Sequence, residues 1–232
     1  MDAVIFDMDG VIVDSEIHWK TTEGYFLQSL IPTWSVNDQD RIIGLGVLDL
    51  YALLANTYHL QKTKEQFLEI YQEMANEIYG QKVSLMEGFT DLLSALNSKN
   101  IPVALASSSP ASWINIMLDR FSLRDSFKVV VSADELAGQG KPSPAIYLLT
   151  ATRLGVSSDR CIAIEDSKNG VLSAKNAEMF CVGFRNGFNE EQDLSMADMI
   201  IHHFAEFDWK MLYCHTYNVR NFMYGDTVDG NK

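Results

Sequence analysis

Positive charge is scarce in this chain. Eighteen Lys and Arg stand against 31 Asp and Glu, a formal charge of −13 over 232 residues. That balance argues against a broad surface for nucleic acid or anionic membrane, although it leaves room for a small basic pocket. Long apolar runs are missing too: no stretch approaches the roughly 18 residues that a membrane-crossing helix needs. Asp2 stands where a secretory leader would carry positive charge, so the expectation is a soluble, cytoplasmic protein. The cysteines, Cys161, Cys181 and Cys214, have no metal-ligand spacing, and two of them fall in expected strands as buried structural thiols. Proline is limited to 5 residues while apolar residues reach 47%, which excludes a disordered chain. No GxxxxGK[ST] or GxGxxG run occurs, and neither do internal repeats or low-complexity tracts.

What is present falls into two regimes. "AVIF" (3–6), "IPVALAS" (101–107), "FKVVVSA" (127–133), "RCIAIED" (160–166), "MFCVGF" (179–184) and "DMIIH" (198–202) are short, apolar and rich in Val and Ile. Strands apolar on both faces and separated by helical segments describe a parallel sheet covered on both sides. Residues 15–82 read differently, with apolar residues at helical spacing, as at Phe67, Ile70, Tyr71, Met74 and Ile78. The expected organisation is an α/β core of residues 1–14 and 83–205, a helical insertion at 15–82, and a partly packed C-terminal extension at 206–232.

Polar clusters stand at the ends of four expected strands: Asp7 and Asp9, then Ser107 to Ser109, then Lys141 in "GQGKPSP", then Glu165 and Asp166. In a parallel α/β sheet, ligands collect beyond the carboxyl ends of the strands, so the fold would bring these clusters together. Several carboxylates at one point repel one another unless a cation joins them, and hard oxygen ligands beside a phosphate favour Mg²⁺. One aspartate can then attack phosphorus while the second manages the leaving-group proton. A hydroxyl and a lysine can hold the phosphoryl oxygens. Each residue also has a plainer reading as a turn residue or helix cap, which Ser108 or Ser109 could supply as well as Ser107. A calcium loop fits poorly, because "DMDGVIVDSEIH" lacks the acidic ligand at its fifth position and the glycine at its sixth.

Taken in order, "FDMDG", a strand ending in Ser, "KPSP" and "IEDS" resemble the four motifs of the haloacid-dehalogenase-like hydrolases. The nearest branch holds beta-phosphoglucomutase and small sugar-phosphate phosphatases. The resemblance covers nearly all of residues 1–202 and implies a Rossmann-like parallel sheet with a small helical cap inserted after the first strand. It further implies Asp7 as nucleophile and Asp9 as general acid/base. Ser107 would bind the phosphoryl group, Lys141 would stabilise its charge and orient Asp7, and Gly10 would allow a tight turn beneath the phosphate. Mg²⁺ would be held by Asp7, Asp166 and the backbone carbonyl of Asp9, with Glu165 in support. The implied partner is a small phosphorylated metabolite; the charge balance and the short apolar runs argue for neither nucleic acid nor membrane, and a monomer is the expectation.

Phosphatase and mutase share the first step and differ in which hydroxyl receives the phosphoryl group. The mutase carries an arginine in its cap loop for a distal phosphate, and the matching position in "RIIGLGVLDL" is Val47. Its histidine twelve residues after the nucleophile is replaced by Trp19, and its asparagine after the second motif by Ala111. These three departures favour hydrolysis. A family member that binds a phosphorylated ligand or another protein without turnover is the third reading; loss of a motif residue would favour it, and none is lost. Trp19 and Arg41 are the candidate cap contacts to substrate, Trp19 as an apolar wall and Arg41 as a basic group, each with an equally plain reading as packing or surface.

Overall fold

The computed structural model describes residues 1–35, 38, 42 and 46–207, less the side chain of residue 49. Six strands form one sheet: β1 (Ala3–Phe6), β2 (Val103–Ser107), β3 (Val129–Ser132), β4 (Cys161–Glu165), β5 (Phe180–Phe184) and β6 (Met199–Ile201). Every pairing is parallel, in the spatial order β3-β2-β1-β4-β5-β6. β1, β2 and β4 are buried along their whole length. That burial is why they appear in the sequence as continuous apolar runs rather than as alternating ones.

Alternation still decides which face each side chain serves. Val4, Phe6, Ile162 and Ile164 join one core cluster, whereas Ala3, Ile5, Cys161 and Ala163 join the other. The second face is lined by small residues, so helices α6 (Ala145–Leu154) and α7 (Lys168–Asn176) lie close against it through Ile146, Tyr147, Val171 and Ala174. The first face receives α4 (Phe89–Ser98) and α5 (Ala111–Arg120), with Phe89 standing edge-on to Phe6. Each such side chain removed from water contributes about 1.5–3 kcal/mol. Cys161 and Cys181 are both buried and free, in keeping with their reading as structural thiols.

The chain order places the strand switch beside β1. The chain builds outward from β1 through β2 to β3 and then returns to β4 on the other side of β1. A crevice opens at the carboxyl end of such a switch, and β1 and β4 carry Asp7 and Glu165–Asp166 into it.

Between β1 and α4 run α1 (Ser15–Leu30), α2 (Val47–Tyr58) and α3 (Lys64–Glu77), the helical cap inserted into the α/β fold. A capping box between Thr63 and Gln66 starts α3. A wider turn over Ile78–Lys82 extends it, closed by Val83 N–H donating to the Ile78 carbonyl. The outgoing and returning connections lie side by side. Val13 bridges Leu85 in antiparallel fashion, the Met86 amide donates to the Ile12 carbonyl at 2.9 Å, and the Ser84 amide donates to Asp14 Oδ1 at 2.6 Å. Among the described residues no helix is long and apolar enough to cross a membrane. Residues 208–232, most of the expected C-terminal extension and Cys214 with it, lie outside the described residues.

Candidate active site

Burial and charge meet at Lys141. Its ammonium donates to Asp7 Oδ1 and Glu165 Oε1, both at 2.6 Å, and reaches the Ala106 carbonyl at 3.3 Å. The loop after β3 thereby joins the ends of β1, β2 and β4. Tyr147, from α6 beneath the sheet, donates its hydroxyl to the same Glu165 oxygen at 2.5 Å. The other Glu165 oxygen faces Gly170, where a Cβ would stand 1.9 Å from it. Glycine in the first turns of α7 is therefore a steric requirement of Glu165. Gly10 has a similar role: its φ is +74°, and a Cβ there would come within 2.0 Å of Asp166 Oδ2.

Asp7, Glu165 and Asp166 each offer an oxygen within 4.8 Å of the others, and all three are buried. One ammonium cannot balance this charge. Burial pushes the Asp7 carboxyl up to about 8; Lys141 opposes the rise, while Glu165 and Asp9 add to it. Burial also holds the Asp166 carboxyl well above its usual range, with Glu16 and Asp7 reinforcing it. Burial would depress Lys141, but Asp7 and Glu165 outweigh it and keep the ammonium charged beyond its ordinary range. Three buried hard-oxygen donors with unbalanced charge suit a divalent oxophilic cation. Asn186 fixes one donor, giving its amide protons to Asp166 Oδ2 at 3.0 Å and the Gly10 carbonyl at 2.9 Å. Asn189 holds the backbone beneath through the Asp166 carbonyl at 2.7 Å.

Asp9 is engaged separately. Its Oδ1 accepts from Ser15 at 2.5 Å and Tyr79 at 2.6 Å, and its Oδ2 from Ser109 at 2.7 Å. Ser15 opens α1, Tyr79 lies in the turn that closes the cap, and Ser109 follows β2. Ser107 is fully buried at the end of β2, where its hydroxyl oxygen accepts from the Ser109 amide at 3.0 Å. Neither Ser108 nor Ser109 caps α5, whose cap position is Pro110; the Ser109 hydroxyl turns to Asp9 instead.

The structure brings together Asp7, Asp9, Gly10, Ser107, Lys141, Glu165 and Asp166. Among the cap candidates, Trp19 stacks on Trp113 of α5 at 4.7 Å and donates its indole N–H to Tyr79 at 3.0 Å, so it touches the site through Tyr79. Val47 is half-buried at the start of α2 among core hydrophobics, and Arg41 lies outside the described residues. Tyr79, Ser15, Tyr147, Gly170 and Asn186 went unremarked in the sequence. Only Gly170 left a local trace, as a glycine inside a helical stretch.

A model of this architecture matches the chain over residues 4–184, and its description is haloacid dehalogenase-like hydrolase. The chain belongs to the haloacid dehalogenase-like hydrolases. It is 32% identical over 177 residues to the phosphorylated carbohydrates phosphatase of Thermotoga maritima, covering 76% of this chain and 82% of that protein. It is also 32% identical over 223 residues to the beta-phosphoglucomutase of Bacillus subtilis, covering 92% and 94%. A crystal structure of CbbY from Rhodobacter sphaeroides in complex with phosphate superposes with a TM-score of 0.76 at 22% identity, covering 89% of this chain and 96% of that one. For this hydrolase the CbbY likeness establishes the fold. The two curated relatives place it among sugar-phosphate phosphatases and mutases.

Proposed function

We propose that this hydrolase is a Mg²⁺-dependent phosphatase that cleaves a small phosphomonoester, a phosphorylated sugar, through an aspartyl-phosphate on Asp7. The observation that carries the reading is the buried Asp7 carboxylate bonded to Lys141 beside Asp166 and Glu165, with Asp9 two residues on. The phosphatase from Thermotoga maritima supports the substrate class.

On this reading an Asp7 oxygen attacks phosphorus and the ester oxygen leaves as an alcohol, taking its proton from Asp9. Water then attacks phosphorus, Asp9 accepts the water proton, and inorganic phosphate and the free Asp7 carboxylate are released. The sum is ester plus water to alcohol plus phosphate. Asp7, Asp166 and the Asp9 carbonyl would hold Mg²⁺, with Glu165 in support, and the ion would lower repulsion between Asp7 and the phosphoryl oxygens. Lys141 orients Asp7 and spreads charge from the transferring group. Ser107 and the turn at Gly10 line the phosphoryl pocket. The cap, taken as residues 15–82 on a core of 1–14 and 83–205, excludes bulk water and selects the leaving group.

The likeness to beta-phosphoglucomutase over most of the chain supports a mutase as the second reading. A mutase must hold a second phosphate away from Asp7, and Val47 stands where its cap-loop arginine would be expected. Trp19 is committed to Tyr79 and Trp113. Hydrolysis is therefore preferred.

The test is phosphate release from a panel of sugar and polyol phosphates with Mg²⁺ or chelator, together with isomerisation of beta-glucose 1-phosphate. Release that requires the metal, and that Asp7→Asn reduces by at least about 10³-fold, is the expected result. Efficient isomerisation with little release would replace the phosphatase by the mutase.

A further inference from the structure

Asp166 brings two oxygens to the acidic cluster, and the fold treats them differently. Oδ2 accepts from the Asn186 amide at 3.0 Å and stands over Gly10, where a Cβ would come within 2.0 Å of it. Oδ1 has no hydrogen-bond partner among the described residues. One oxygen is spent on the protein and the other is left to a ligand.

The loop that follows β5 decides which way the Asn186 amide points. A backbone N–H can only donate, and that of Phe188 donates to Asn186 Oδ1 at 2.9 Å. The Nδ2 group therefore faces the other way, and its two protons go to Asp166 Oδ2 and to the Gly10 carbonyl at 2.9 Å. Gly187, at φ +84°, allows the turn that brings Phe188 back onto Asn186. The Asn186 N–H in turn donates to Asn189 Oδ1 at 3.1 Å. Asn189 is buried, and its own amide group donates to the Asp166 and Phe184 carbonyls. This short loop thus holds Asp166 by its side chain and by its backbone.

A carboxylate can give a cation one oxygen or both. Ca²⁺ takes either arrangement, with about six to eight ligands in a flexible shell, whereas Mg²⁺ demands a near-ideal octahedron. A carboxylate clamped to offer a single oxygen suits the stricter ion. We infer that Asn186 is a positioning residue that withholds Asp166 Oδ2 from the cation, so that the acidic cluster prefers Mg²⁺ to Ca²⁺. The inference rests on the Mg²⁺ reading proposed above. Loss of the amide would release Oδ2, which a cation of flexible coordination can use and Mg²⁺ cannot.

The experiment titrates the full, metal-stripped chain with MgCl₂ and, separately, with CaCl₂ by calorimetry, without substrate. Asn186→Ala should weaken Mg²⁺ binding about 10–100-fold, the usual effect of losing the partner of a metal ligand. Ca²⁺ should weaken far less, so the ratio of the Ca²⁺ Kd to the Mg²⁺ Kd should fall at least about fivefold. A general loosening of the fold would move both ions together. Asp198→Ala is the control for lost stability: it removes contacts to the Lys175 ammonium at 2.6 Å and the Cys181 amide at 2.7 Å, at the amino end of β5, and should leave the ratio alone. If Asn186→Ala does not fold, Asn186→Ser, with a side chain too short to bridge Asp166 and the Gly10 carbonyl, should shift the ratio in the same direction. An unmoved ratio in either folded variant overturns the inference, while Mg²⁺ binding by the wild type keeps the metal reading standing. A wild-type chain that binds no Mg²⁺ would sink that reading and this inference with it.

Discussion

At the scale of single residues, chemistry is set by pairs of groups that only one neighbour permits. Gly170 is the clearest case, because the space a Cβ would take is already filled by the Glu165 carboxylate. Gly170→Ala must therefore displace Glu165, and through it the Lys141 ammonium that bridges to Asp7. The expected cost is about 1–3 kcal/mol of overpacking, read as a fall in melting temperature of roughly 2–4 °C per kcal/mol, with phosphate release falling further than stability alone explains. A melting temperature within 1 °C of wild type would show that α7 absorbs the methyl group elsewhere. Motif residues were legible at this scale because they sit in short polar clusters directly after apolar runs. Tyr79 was not. Its partner Asp9 is 70 positions away, and a tyrosine in a helical stretch has the same sequence signature as a core aromatic.

Elements were the most legible scale. The six Val- and Ile-rich runs became the six strands, since a strand buried on both faces leaves an unbroken apolar word in the sequence. The register of cap on core was not legible, because aromatic stacking between α1 and α5 has no periodic signal. That contact is nonetheless concentrated. Trp113 is nearly buried and stacks on Trp19, with Tyr79 alongside at 6.0 Å, and Ser112 donates to Gln72 of α3 at 2.8 Å. Trp113→Ala should cost about 3–5 kcal/mol, measured by chemical denaturation. Because the lost surface lies between cap and core, protease cleavage within 15–82 should accelerate more than cleavage in the sheet. Equal acceleration in both regions would mean that the cap is held mainly by its own contacts.

For the whole molecule, the dominant electrostatic fact is an excess of buried negative charge at one point. A carboxyl raised from 3.8 to about 8, as at Asp7, binds more protons in the folded state than in the unfolded state across that interval. Stability of the cation-free protein must then fall as pH rises from about 4 toward about 8, opposite to the trend for a carboxylate held in a salt bridge that lowers its pKa. Mg²⁺ should remove most of that slope by taking the place of the proton. At a hundredfold excess over its dissociation constant it should add about 2.7 kcal/mol. Thermal melts in chelator and in Mg²⁺ between pH 5 and pH 8.5 test this. Parallel curves would show that the acidic cluster does not bind the ion.

The side-by-side course of the two connections has an evolutionary corollary. Asp14 and Ser84 are hydrogen-bonded neighbours although 70 positions separate them. An excursion that leaves and re-enters at one spot is a cassette: its removal would leave a gap that a turn of a few residues can close. Insertion, deletion or exchange of such a segment leaves the strand order and the acidic crevice as they were. Lineages sharing one phosphoryl-transfer core can thus diverge in the compounds they accept by trading what lies between these two positions, and this chain's own specificity would be the part most readily transplanted.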